Sequence, residues 1–518
     1  MHRAALLFTL SLVLTVSPAG ADDAPFESLL ADHWAHFLET YPLKATANGV
    51  ADYNDRLGSV TPAASARVLA RERAFLTRLR RIDTAQLDAG ERVSHGVLHW
   101  LLQDSIRAAE LDTARIPFNN FSGFFTDVLS MADGVPMQRE ADYEAYIARL
   151  RDVPRHFDEH IANLRRGIDS GFVLPRVVVE GVQPTVAAEV RDDPTGSRLY
   201  EPFERLPESL PAATRQRLAD AGSAAIRDAV TPAFRRLSEF LRQDYLAAAT
   251  TTLGATELPG GEDYYAHQIR RYVTVTDLDA DAIHSTGLDE VARIRAEMDA
   301  VIERTGFDGD FAAFTAFLRS DPKFYAASAD ELLAAAAYTA KRIDYVMPGY
   351  FGRLPRLPYG VVPVPDEIAP NYTTASYDSA PIGGTRGGGY WVNTYALDQR
   401  PLYELTALTL HEAVPGHHHQ IALAQELDNL PPFRRNLYFS AFGEGWALYT
   451  EKLGVEMGVY RNDYEHFGRL SYEMWRACRL VIDTGLHAMG WPRERAIAYL
   501  KDNTSLAEAN VRAEVDHY

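Results

Sequence analysis

His411 and Glu412 stand side by side in the stretch LTLHEAVPGHHHQIAL (408–423), and three more histidines follow at 417–419. Imidazoles and carboxylates are the groups that hold a divalent ion in hydrolytic enzymes. When two histidines sit four residues apart on a helix they face one ion, and a glutamate after the first can act as base. Here the residue four after His411 is Pro415, and proline inside a helix removes a hydrogen bond. In an unbroken helix His411 and His417 would lie about 600° apart, and His418, on the face of His411, about 10.5 Å along the axis. Neither pair could share an ion with bonds to nitrogen of about 2.0–2.1 Å. Pro415 and Gly416 resolve this if they act as two residues inserted into the turn. Proline frees the carbonyl of His411, and glycine permits an uncommon backbone. H-E-A-V-(PG)-H then restores the four-residue relation. The spacing predicts a kinked metal helix with His411 and His417 as ligands, with His418 and His419 as alternatives for the second.

A third ligand is expected downstream. FSAFGEGWALYTEKLG (439–454) is helical in period and places Glu444 between Gly443 and Gly445, beside Trp446. A buried carboxylate in such surroundings is costly unless it is paired or coordinates a metal. Two histidines and a glutamate leave a fourth position open, which is the layout of a catalytic zinc site with one Zn2+. Glu412, next to ligand His411, is then the general base for water activated by the ion. Taken singly, the histidine run fits a solvated patch and Glu444 fits a cap or an ion pair; together they point to a metal.

Helices must position these groups, and the periodicity is helical almost throughout. In 141–170, Tyr143, Tyr146, Ile147, Leu150, Val153, Phe157, Ile161, Leu164 and Ile168 mark one buried face, with Pro154 as a possible kink. Ile283, Leu288, Val291, Ile294, Met298 and Ile302 repeat the pattern, and 331–347 is a strong helix former. FVLPRVVVEGV (172–182) reads as a short strand or a buried extended segment. Residues 352–400 are rich in Pro, Gly, Tyr and Thr. There Gly383, Gly384 and 387–389 supply a turn, and YWVNTY (390–395) alternates as a short strand does. GGTRGGG lacks the lysine and following helix of a phosphate loop.

The chain has 518 residues, 47% of them hydrophobic, an ordinary globular composition. The formal net charge of −19 disfavours nucleic acid as a partner. The apolar run 4–16, followed by Ala19-Gly20-Ala21, reads as a signal peptide covering 1–21, with periplasmic or secreted placement and no stable membrane insertion after cleavage. Cys478 is the single cysteine, so neither an intrachain disulfide nor a lipid-modified cysteine after the cleavage site is expected.

HEAVPGHHHQ resembles the H-E-x-x-P-G-H-x-x-Q signature of the bacterial DUF885 proteins. GEGWALYTE (443–451) is similar to a second signature of that family and RACRLVIDTGLHAMGW (476–491) to a third. Weaker likeness covers nearly the whole mature chain. The resemblance implies a zinc metallopeptidase of oligopeptidase or carboxypeptidase type acting on short peptides. It implies a mainly α, multi-helical fold with a deep cleft and a small β element before the metal helix. One domain is expected over 22–518, with an N-terminal lobe to about 255 and a metal-site lobe from about 256. By position it carries ligand roles to His411, His417 and Glu444 and the base role to Glu412. It also implies that YWVNTY pairs with the substrate backbone, with Asn393 as a substrate-binding candidate. Tyr390 and Tyr395 are candidates to line the cleft. The carboxylate that orients a ligand histidine in related peptidases would fall at Leu448, which leaves Glu451 as the nearest substitute. The family pattern continues with P-G-Q-A beyond a segment like AEVDHY (513–518), so a truncated end is expected.

Arg479, Asp483 and His487 recur every four residues on one helix face. They form either an ion-pair ladder or a functional set, with His487 as a transition-state donor and Arg479 or Arg476 as a clamp for a peptide carboxylate. Two alternatives accompany the peptidase reading. One is a catalytically impaired peptide-binding homologue. The other is a mononuclear iron enzyme, since two histidines and a carboxylate also make a facial triad.

Overall fold

Periodic apolar residues become helices along most of the described chain. The structure, a computed structural model, describes residues 25–516 except 121, 367–368, 370–371, 381–385, 436 and 507. The expected signal 1–21, the glycines 383 and 384, and Tyr518 lie outside the described residues.

The fold is mainly helical, with a single small sheet among the described residues. Helix Glu140–Ser170 runs through Pro154 and buries Tyr143, Tyr146, Leu150, Val153, Phe157 and Leu164. Helix Ala280–Thr305 starts at Asp279, whose side chain accepts the N–H of Ala282 and satisfies an orphan donor of the first turn. It buries Val291, Ile294, Met298, Val301 and Ile302. Helix Ala329–Val346 is capped in the same way by Ser328.

The stretch 172–182 is not a strand. A helix, Arg176–Ala188, begins directly after Pro175 and buries Val178, Val179, Val182 and Val186. The valines favour strands by propensity, but their spacing of one, three and four residues matches one helical face, and burial decides.

Five buried apolar clusters organise the described residues. The first lies in the N-terminal half, around Phe118, Tyr146, Phe157, Phe234 and Tyr245. The second joins helix Ala280–Thr305 to helix Asp463–Ala488 through Ile294, Met298, Phe467 and Val481. The third seats helix Leu405–Glu412 on the sheet through Tyr390, Val392, Leu405 and Leu408. Phe433 packs with Phe26, Phe75 and Leu98, so the N-terminal helices are tied to the chain that follows the histidines.

The sheet has three strands, β1 (Tyr359–Pro363), β2 (Ala375–Asp378) and β3 (Gly388–Val392), in the order β1-β3-β2. β1 runs parallel to β3 with Val361 opposite Tyr390, and β2 runs antiparallel with Tyr377 opposite Tyr390. β3 is thus the central strand, and both of its edges are used.

Candidate metal centre

Helix Leu405–Glu412 is buried on every side, as its uninterrupted run LTALTL requires. It stops at Glu412, and helix His417–Gln425 starts after a break of four residues, 413–416. The break is close-fitting. A Cβ on Gly416 would lie 1.9 Å from the carbonyl oxygen of His411, so only glycine fits there.

The carbonyls that the break exposes are satisfied from the next helix, Ser440–Glu456. Thr450 donates its hydroxyl to Leu410 O at 2.9 Å, and Trp446 Nε1 donates to Pro415 O at 2.7 Å. Gly454 lets this helix come close, since a Cβ there would meet Leu410 Cδ1 at 2.4 Å. The same helix carries Glu444. One set of backbone contacts therefore fixes all three expected ligands relative to each other.

His411, His417 and Glu444 converge, each offering one ligand atom within 4.8 Å of the others. Glu444 Oε2 lies 3.4 Å from His411 Nε2, and Glu444 Oε1 lies 3.6 Å from His417 Nε2. Two atoms bonded to one zinc ion can be no more than about 4.2 Å apart, and both separations fall inside that limit. The two imidazole planes are crossed at 86° with centroids 4.7 Å apart. This donor set of two nitrogens and a carboxylate oxygen fits zinc.

Of the three consecutive histidines, the other two face elsewhere. His418 Nδ1 is 3.0 Å from Tyr377 Oη and its Nε2 is 3.1 Å from Leu357 O. His419 packs against Phe351.

Glu444 is not the buried carboxylate expected. Its side chain is 52% exposed and fronts a cavity of about 370 Å³. The helix turns it outward, and of its two glycine neighbours Gly443 abuts the ring of Tyr438 while Gly445 faces open space. Tyr438 donates its hydroxyl to Glu444 Oε1 at 2.9 Å.

Charge is distributed unevenly here. Burial alone would raise Glu444, but the hydrogen bond with His411, the charges of both histidines and the Tyr438 hydroxyl hold it down at about 2. At that exposure the shift says little about stability. Burial, reinforced by His411, pushes His417 down to about 4, so it is neutral, as a ligand must be. Burial and Arg476 oppose protonation of His411, yet Glu444, Glu451 and Glu412 outweigh them and raise it. Glu412 is buried and lines the same cavity; burial lifts it to about 7 in the metal-free protein.

Glu451, with a side chain only 2% exposed, lies behind His411. Its Oε1 is 2.8 Å from His411 Nδ1 and 3.3 Å from Arg476 Nη1. This contact leaves His411 Nε2 as the nitrogen directed at Glu444.

Of the other expected site residues, Arg476 lies 3.1 Å from His411 Nδ1 and Arg479 lines the same cavity, whereas Asn393, Tyr390 and His487 are engaged elsewhere. Asn393 is fully buried. Its amide donates to the carbonyls of Ala369, Tyr372 and Thr373, and its carbonyl oxygen accepts from Tyr395 N–H, so it shapes the loop leading into β2. Tyr390 is likewise fully buried, with its hydroxyl 3.2 Å from that of Thr409 on the metal helix. β3, the expected partner for substrate, is closed on both edges. The strand that borders the cavity is β2, with Thr373–Tyr377 in its wall, and no strand among the described residues pairs with its outer edge. Nothing in the alternation of YWVNTY distinguishes a central strand from an edge.

Helix Asp463–Ala488 forms the opposite wall with Tyr472, Trp475, Arg476 and Arg479. Arg479 is held by Glu514 through two contacts of 2.6 and 3.1 Å. Asp483 accepts from Tyr265 and not from its helix neighbours. His487 Nδ1 accepts the N–H of Ala255 at 3.2 Å. His487 lies eleven residues beyond Arg476, about 16 Å along the axis, and so away from the donors. The four-residue ladder predicted from spacing is replaced by partners from distant segments. Tyr438 and β2 were not singled out in the sequence; Tyr438 carries no signal beyond lying six residues before Glu444.

Comparison with known proteins adds a family. The model of "Bacterial protein of unknown function (DUF885)" matches residues 42–518, and the chain belongs to that family. The crystal structure of "the putative lipoprotein from Colwellia psychrerythraea" is similar, with a TM-score of 0.88 and 26% identity over 95% of this chain and 88% of that one. A Shewanella oneidensis protein described as a "putative lipoprotein of unknown function" shares the fold, with a TM-score of 0.68 and 15% identity over 95% of this chain and 89% of that one. No curated protein matches.

Proposed function

We propose that this member of the DUF885 family is a zinc-dependent peptidase acting on short peptides, with His411, His417 and Glu444 as ligands of one Zn2+ and Glu412 as general base. The observation that carries this reading is the convergence of three donors in a cavity that a fourth, proton-accepting carboxylate also lines. When bound, zinc supplies Lewis acidity and makes water a better nucleophile near neutral pH. Glu412, in the same cavity as the three donors, is placed to accept a proton from that water.

The remaining chemistry belongs to the protein. Glu412 takes a proton from water as the water oxygen bonds to the carbonyl carbon, and the carbonyl π pair moves onto oxygen. The oxygen pair then returns to re-form the carbonyl as the C–N bond breaks, and the departing nitrogen, which keeps that bond's pair, takes the proton from Glu412. One water is consumed, and an acid and an amine are released. Glu451 keeps His411 oriented throughout. β2 offers its open edge to an extended peptide backbone, as strand addition requires. A cavity of about 370 Å³ is in the range of small-ligand clefts, which favours short peptides over folded proteins.

Export to the periplasm or medium is part of the same proposal. The N-terminal apolar run supports it, as does the word "lipoprotein" in the description of the similar Colwellia structure. No helix among the described residues is long and apolar enough to cross a membrane.

The test is metal analysis of the purified full chain, followed by incubation with a peptide pool with and without chelator. The reading requires about one zinc per chain and cleavage that stops on chelation and returns with zinc. Iron in place of zinc, or binding of peptides without cleavage, would overturn it.

A further inference from the structure

We propose that Arg476 is a catalytic residue of this site, whose Nη2 donates to the scissile carbonyl oxygen as that oxygen becomes an oxyanion. The proposal rests on the hydrolytic reading above and assigns a role that the sequence analysis gave to His487.

The argument is a count of hydrogen bonds. Arg476 lines the cavity with its side chain 19% exposed. Its Nη1 is committed to Glu451 Oε1 at 3.3 Å and to Tyr472 O at 3.3 Å. Among the described residues its Nη2 meets the ring of His411 alone, at 3.1 Å from Nδ1 and 3.3 Å from Nε2. Both nitrogens have other duties in a working site. Nδ1 carries the proton directed at Glu451 Oε1, 2.8 Å away. Nε2 gives its lone pair to the ion. An imidazole so engaged has no lone pair left to accept from Nη2. The N–H groups of Nη2 then face the cavity without an acceptor, and a charged donor left unpaired is costly.

A peptide carbonyl oxygen supplies that acceptor. It does so more strongly when water has added and the oxygen bears a full charge, which is the condition for lowering the barrier. Among the described residues, Trp475 Nε1 on this wall also lacks a hydrogen-bond partner, but of the two only Arg476 adjoins His411. Two other donors lining the cavity are occupied. Arg479 is engaged by Glu514, and the Tyr438 hydroxyl by Glu444. The other acidic groups around His411, namely Glu412, Glu444 and Glu451, cannot stabilise an anion.

The test uses the zinc-loaded full chain as wild type, Arg476→Ala and Arg476→Lys. Zinc affinity is measured first by chelator competition, so that a loss of the ion is not mistaken for a loss of catalysis. With the ion saturating, kcat should fall by about 10²–10³-fold in Arg476→Ala with KM changed only a few-fold. A phosphinic peptide, which mimics the tetrahedral state, should lose affinity by a similar factor, while a product peptide should not. Added guanidinium should restore part of the Arg476→Ala activity. Arg476→Lys keeps a charge against Glu451 and carries the test if Arg476→Ala does not fold. Unchanged kcat at saturating zinc, or equal losses for the phosphinic and product peptides, overturns the assignment. If wild type neither cleaves peptides nor binds the phosphinic peptide, the hydrolytic reading itself fails, and that result is visible without any variant.

Discussion

Trp446 donates its indole N–H to the carbonyl of Pro415 across 2.7 Å, so the helix that presents Glu444 also holds the break between His411 and His417. Trp446→Phe keeps the ring and removes the donor. The half-buried carbonyl is then left unpaired, which costs about 1–3 kcal/mol. We expect a lower midpoint in chemical denaturation and weaker zinc retention under chelator. A variant with both unchanged would show that the break holds itself.

Glu412→Gln separates metal binding from chemistry. The amide is isosteric with the acid but cannot accept a proton at working pH. Zinc content should stay at the wild-type level while peptide cleavage falls by about 10²–10⁴-fold, the usual contribution of a general base. Undiminished cleavage would remove Glu412 from the mechanism.

Glu451→Gln tests the support behind His411. The buried carboxylate orients the imidazole and pairs with Arg476. Loss of such a partner typically weakens metal affinity 10–100-fold. Competition with a fluorescent chelator measures this directly, and an affinity within twofold of wild type would rule out the orienting role.

Acid should destabilise the protein through His160, far along the sequence from the metal donors. This side chain is buried and stacks on Phe124 with centroids 4.0 Å apart. Burial, with a smaller push from His156, holds its pKa well below 6.5. The folded state therefore keeps it neutral, while the unfolded chain binds a proton below about 6.5. Stability from this group is complete above that value and falls as pH drops below it. Thermal melts between pH 7.5 and 4.5 should show a falling Tm, with a shallower slope in His160→Gln. Equal slopes would exclude His160 as the source.

The convergence of His411, His417 and Glu444 was legible because the constraint on the two histidines is local. In the sequence Pro415 and Gly416 count as a two-residue insertion; the structure has a four-residue break, 413–416, that contains them and likewise turns His417 toward His411. Glu451 was reachable because the usual position, Leu448, cannot serve, which left the next acidic residue on the helix. Asn393 and Tyr390 were misplaced for the opposite reason. Whether a strand is central or at an edge depends on which others pair with it, and β1 and β2 come from segments whose composition reads as loop. The valines of 172–182 failed similarly, since propensity is weak against a core already formed by Tyr146, Phe157 and Phe234. Helical periodicity placed Arg479, Asp483 and His487 on one face, but their partners Glu514, Tyr265 and Ala255 lie outside any local window.

The three donors differ in shelter. His411 and His417 are backed by packed helices, with side chains 5% and 10% exposed, while the Glu444 side chain is 52% open to the cavity. If these three hold zinc as proposed, an ion entering or departing passes on the carboxylate side. A chelator can reach it there while the core stays intact, so stripping and reloading need no excursion through a denatured chain. Residence time on the protein is then governed by the swing of one carboxylate, steadied by the Tyr438 hydroxyl.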